Sequence, residues 1–97
     1  MKICIVGAGS SYTPELFDRL SQMREALPVT EVTLMDTDPA RLEAVTAFCR
    51  RYARHLGMAD VKIESTAELR RAVEGATFVN TQIRVGGNAA RVIHRHS

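Results

Sequence analysis

The residues best equipped for chemistry come early, in "GAGSSY", Gly7 to Tyr12. Gly7 directly follows an apolar run, Gly9 comes two later, and helix-forming residues begin soon after. A G-x-G turn between strand and helix lets a phosphate approach the backbone and meet unpaired N–H groups at the positive end of a helix dipole. Ser10 and Ser11 add hydroxyl donors. Asp36 closes the second apolar run. An acid at that point accepts hydrogen bonds from the ribose hydroxyls of a dinucleotide and repels a 2′-phosphate, which favours NAD over NADP. Arg41 is the nearest arginine after it, too far along to reverse that preference. Tyr12 stands where a third glycine usually allows helix and strand to pack closely, so the turn is expected to be looser or longer. A bare G-x-G is also compatible with a Rossmann-shaped domain that binds no nucleotide.

The other reactive side chains carry less. Cys4 and Cys49 form no C-x-x-C pair and fall at apolar positions, which predicts buried free thiols rather than a disulfide or metal site. His94 and His96 are spaced i, i+2 and do not share a helical face, so the reading is a solvated pair. His55 falls in the last turn of a predicted helix, where its charge suits the dipole. With 13 basic and 11 acidic residues and a net charge of +2, the chain has no clustered basic face of the kind that binds nucleic acid. No apolar run approaches the ~18–20 residues that cross a bilayer, and the start does not resemble a signal peptide. A cytoplasmic setting is expected.

These residues need elements to position them, and the sequence alternates. Apolar runs at Lys2–Val6, Glu31–Asp36, Val61–Glu64 and Thr77–Ile83 predict strands. Between the first two, Leu16, Phe17, Leu20, Met23 and Leu27 share a helical face, with Thr13 as cap, Pro14 in the first turn and Pro28 past the end. Thr37 or Asp38 caps a second helix with the stripe Leu42, Val45, Phe48, Cys49, Tyr52 and Leu56, closed by Gly57. A third runs from about Thr66 to Gly75, "RVGGN" reads as a loop, and "AARVIHRHS" as the start of another helix. The order βαβαβαβ predicts an α/β fold: a Rossmann-like parallel sheet in the order 3-2-1-4, with helices on both faces, incomplete at the C-terminus. The fourth strand would then be an exposed edge that invites pairing with another copy, so a homo-oligomer is expected.

Three ordered blocks make the pattern more specific. "GAGSSYTPEL" (Gly7–Leu16), "LPVTEVTLMD" (Leu27–Asp36) and "GATFVNTQIRVGG" (Gly75–Gly87) resemble the N-terminal region of the family 4 glycoside hydrolases, especially the 6-phospho-β-glucosidases. In that light Tyr12 belongs to an "SSYTPEL" pattern that replaces the last glycine. The resemblance implies NAD-dependent cleavage of 6-phosphoglycosides: oxidation at C3 of the sugar, removal of the C2 proton, elimination of the glycosidic oxygen, addition of water and reduction. A divalent metal, commonly Mn²⁺, polarises the sugar oxygens. By the same carry-over Gly7, Gly9, Ser10, Ser11, Tyr12, Asp36, Thr81 and Gln82 are the cofactor contacts. Arg91, and with less weight Arg84, face the phosphorylated sugar, where a guanidinium fork suits a 6-phosphate. Asn80 and Asn88 are further polar candidates.

The family's metal-binding Cys and His, its proton donor and its tyrosine base have no counterpart within these 97 residues. The expectation is therefore a partial dinucleotide-binding domain over residues 1–97, inactive alone, with the catalytic C-terminal domain and the metal elsewhere. A stand-alone NAD or adenine-nucleotide regulatory module is the alternative. A dehydrogenase of the lactate/malate type is disfavoured, because those enzymes carry a small residue at the position of Tyr12.

Overall fold

The computed structural model describes residues 1–8, 13–85 and 88–95, with the side chains of residues 1–8 and 13–81. Strands β1 (Lys2–Val6), β2 (Glu31–Met35), β3 (Lys62–Thr66), β4 (Phe78–Val85) and β5 (Asn88–Arg95) form one sheet in the order β3-β2-β1-β4-β5. The first four strands are mutually parallel, and β5 runs antiparallel to β4. Helices α1 (Thr13–Gln22), α2 (Pro39–His55) and α3 (Leu69–Val73) supply the crossovers.

The sheet's two faces bury different sets. Ile3, Ile5, Val32, Leu34 and Ile63 pack with Leu16, Phe17 and Leu20 of α1 and Leu42, Cys49 and Ala53 of α2. On the opposite face Cys4, Met35 and Val79 meet Ala72 and Ala76, small enough for the short α3 segment to lie close. Adjacent residues of β1 thus serve opposite cores, as the two-residue period of a strand requires. This is the expected order 3-2-1-4, with one strand added.

That strand corrects two expectations. The segment "AARVIHRHS", read as a helix, contributes β5, in register from Phe78↔Arg95 to Val85↔Asn88. The sequence reason is a Gly-Gly pair, a hairpin signal, followed by the β-branched Val92–Ile93 pair, which favours the extended form. In consequence β4 is not an open edge; the sheet ends at β3 and β5.

Helix lengths also differ from the periodicity. α1 ends at Gln22 and loosens into a turn, still held by Met23 N–H to Arg19 carbonyl (3.2 Å) and Leu27 N–H to Met23 carbonyl (2.8 Å). α2 starts as predicted, the Asp38 carboxylate accepting from the N–H groups of Ala40 and Arg41, with Pro39 in the first turn. Its buried stripe includes Thr46 and Ala53, whereas Phe48 is 44% exposed and stacks on Tyr52 at 5.7 Å. Thr46 can be buried because its hydroxyl donates to the Leu42 carbonyl. α3 is shorter than predicted, because β3 runs on to Thr66, paired with Met35, and the helix starts only at Leu69.

Two polar ties hold the periphery. Arg24, in the turn after α1, donates to the Gly57 carbonyl (2.6 Å) and in a fork to Asp60 (2.7 and 2.6 Å) beyond α2. Arg50 of α2 donates to the Ile63 carbonyl of β3 through Nη2 (2.9 Å) and Nε (3.3 Å). Among the described residues, no helix is long and apolar enough to cross a membrane.

Candidate functional site

The parallel register decides which residues meet at the carboxyl edge of the sheet. Val6 pairs with Met35 on one side and with Thr81 on the other. The next residue of each strand is therefore Gly7, Asp36 or Gln82, and these three form one row where the chain leaves the parallel sheet. Ligands of open α/β sheets bind at this edge, where the strand order reverses between β1 and β4.

Gly7 has φ +79°, a conformation that favours glycine, and begins the turn as the sequence demands. The N–H groups of Gly7 and Ala8 both donate to the Met35 carbonyl at 2.9 Å, so the turn is folded onto the end of β2, beside Asp36. Ala8 is fully buried, and its carbonyl accepts the hydroxyl of Thr13, also fully buried, at 2.7 Å. The amino end of α1 is thereby brought to the carboxyl ends of β1 and β2. Gly9, Ser10, Ser11 and Tyr12 lie outside the described residues.

Asp36 is half-buried, and its Oδ1 accepts from the Asp38 N–H at 2.9 Å, which orients the carboxylate at the strand end. Arg41 approaches Asp38 at 3.9 Å, one turn into α2. The acid at the end of β2 and the glycine turn at the end of β1 are thus neighbours, as a dinucleotide site requires.

On the other side of β1, Thr81 is half-buried in the row below Gln82. Gln82 is paired with Arg91 across the β4–β5 hairpin, and Arg84 with Ala89. The fold therefore brings Gln82 and Arg91, nine residues apart in sequence, to adjacent backbone positions; the side chains of Gln82, Arg84 and Arg91 lie outside those described. Asn88 opens β5 opposite Val85, His94 pairs with Val79, and His96 is outside the described residues.

Asn80, a further polar candidate, lies on the α1 side of the sheet. It sits beside Ile5, below the carboxyl edge, and lines a groove of about 270 Å³ with Ile3, Leu16, Leu20, Met23 and Phe78. It is 3% exposed, and among the described residues its Oδ1 has no hydrogen-bond partner.

Neither cysteine belongs to the site. Burial raises the Cys49 thiol to about 12 and the Cys4 thiol to about 11, the latter partly offset by Lys2, so both stay protonated and unreactive. Among the described residues no group of three or more His, Cys, Asp or Glu side chains is placed to hold a metal ion. The residues that sequence reasoning missed are Met35, which acts through its carbonyl, and Thr13, whose hydroxyl turns to the strand side of the turn. Met35 carries no signal in its side chain, and Thr13 reads from the sequence as a helix cap.

Known proteins share this sequence pattern and this fold. The sequence profile of the family described as Family 4 glycosyl hydrolase matches residues 2–97. The 6-phospho-beta-glucosidase of Escherichia coli (strain K12) is 37% identical over 93 residues, 94% of this chain and 20% of that protein. The 6-phospho-beta glucosidase of Thermotoga maritima, solved with manganese, NAD+ and glucose-6-phosphate, superposes with a TM-score of 0.77 at 33% identity, over 90% of this chain and 20% of that one. A 6-phospho-alpha-glucosidase from gut microorganisms, solved with NAD and glucose-6-phosphate, gives a TM-score of 0.81 at 30% identity, again over 90% of this chain and 20% of that one. The chain spans about a fifth of the length of these relatives.

Proposed function

Because the chain belongs to the family 4 glycosyl hydrolases, we propose that it is the dinucleotide-binding portion of a 6-phosphoglycosidase of the 6-phospho-β-glucosidase type, holding NAD across the carboxyl edge of its sheet. The observation that carries this reading is the row Gly7–Asp36–Gln82, with the glycine turn tied by two amides to the carbonyl preceding Asp36.

The residues assigned to the cofactor run from its adenosine ribose to its pyrophosphate. Asp36, already oriented by the Asp38 amide, accepts the adenosine ribose hydroxyls. Gly7 with Gly9, Ser10, Ser11 and Tyr12 receives the pyrophosphate at the amino end of α1, and Thr81 and Gln82 flank it from β4. Arg91 pairs with Gln82 across the hairpin and is assigned to the 6-phosphate of the sugar, with Arg84 nearby in the same strand pair. NAD, when bound, supplies a reversible hydride acceptor for the oxidation–elimination–addition–reduction route. This chain's part is to bind and orient it. The chain spans about a fifth of its relatives, and the metal and the acid–base groups are assigned to a catalytic domain outside residues 1–97.

Buried free thiols support a reducing, cytoplasmic setting. Self-association is part of the reading too. Its route is the outer edge of β5, since β5 covers β4 and Arg50 caps a carbonyl of β3.

The test is a calorimetric titration of the protein with NAD⁺ and with NADP⁺. Binding of NAD⁺ in preference to NADP⁺ is expected; equal binding, or none, rejects the assignment.

A further inference from the structure

The turn after β1 is pinned on both sides of one residue. Ala8 gives its N–H to the Met35 carbonyl, and its own carbonyl takes the Thr13 hydroxyl. With Ala8 and Thr13 both 0% exposed, water cannot serve that carbonyl, and a buried peptide oxygen needs a donor. The bond spans the stretch in which the third glycine is missing. A glycine there brings helix to strand by having no side chain. This chain does so with a β-branched residue of restricted χ1, which makes the approach directional.

We infer that Thr13 is a positioning residue for the dinucleotide. By holding the Ala8 carbonyl it fixes the amino end of α1 against the ends of β1 and β2, where pyrophosphate and ribose are bound. It acts through Ala8 and, being fully buried, touches no ligand itself. The inference rests on the reading of this edge as an NAD site.

Two substitutions separate the hydroxyl from the bulk. Thr13→Val keeps the shape and removes the donor, whereas Thr13→Ser keeps the donor and removes a methyl group. NAD⁺ is titrated by calorimetry into the unmodified protein and both variants, well below their unfolding midpoints, and amide hydrogen exchange is followed on the same samples. Thr13→Val is expected to weaken NAD⁺ binding by about tenfold or more, as the loss of a partner for a buried carbonyl implies, with Thr13→Ser within about threefold. The Gly7 and Ala8 amides should exchange faster in the valine variant and not in the serine variant. If Thr13 only fills space, serine will be the more damaging change to thermal stability and NAD⁺ affinity of the folded valine variant will be unchanged. That result overturns the inference and leaves the NAD site standing. Failure of the unmodified protein to bind NAD⁺ overturns both. Should Thr13→Val not fold, Thr13→Ala makes the same comparison against serine.

Discussion

Asp36 and Asn80 show how differently two polar residues fare in one sheet. Asp36 leaves β2 at the edge, keeps solvent access and has an amide to orient it. Asp36→Ala should weaken NAD⁺ binding about 10- to 100-fold, the range for a hydrogen bond to a charged group. It should also abolish the difference between NAD⁺ and NADP⁺ in thermal shift, and a surviving preference would show that another residue reads the ribose. Asn80 lies two residues before Gln82, buried, with an acceptor unpaired among the described residues. Asn80→Leu, of similar size and apolar like the groove around it, should stabilise the protein by about 1 kcal/mol. Urea unfolding checks this through a raised midpoint at unchanged slope. The placement of Gly7 and Asp36 was legible from sequence because it follows from position at a strand end. The burial of Asn80 was not, because only the pairing of β4 with β1 shows that it lies on the α1 side of the sheet.

At the scale of elements, caps and edges were the readable features, and boundaries set by neighbours were not. Asp38–Pro39 and Gly57 bracket α2 as the local chemistry requires, with Gly57 at φ +77°. The length of α3 and the nature of β5 depended on competition: residues able to join a helix were taken by a sheet that offered unpaired backbone groups. β3 keeps such groups on its outer side. Its Lys62 N–H turns inward to Thr30, so Ile63 turns outward, and there Arg50 meets its carbonyl. Arg50→Ala should expose that edge and raise self-association, seen as concentration-dependent sedimentation. The Arg24–Asp60 fork makes a different prediction. The hydrogen bond from Arg24, with a backbone bond and the guanidinium charge, holds the Asp60 carboxyl below its usual value. A lowered folded-state pKa gives stability that is present above the ordinary carboxylate range and lost as pH falls through it. Arg24→Gln should therefore flatten the acid limb of a stability–pH curve measured by urea midpoints, leaving the neutral limb parallel to that of the parent.

For the molecule as a whole, alternation of strand and helix was enough to predict the order β3-β2-β1-β4, because right-handed crossovers leave few other arrangements. The sugar chemistry entered only through the family resemblance, since no residue spacing in this sequence points to it. Incubated with NAD⁺, Mn²⁺ and a chromogenic 6-phosphoglycoside, residues 1–97 should release no aglycone. Turnover would place the acid–base groups within this chain and overturn the division proposed above. The two layers also differ in what they hide. Cys49 belongs to the core under α1 and α2, Cys4 to the core under α3. A thiol-specific reagent can reach either sulfur only when its own layer opens, so labelling kinetics resolved by mass spectrometry would time the loosening of each face separately, without any introduced probe.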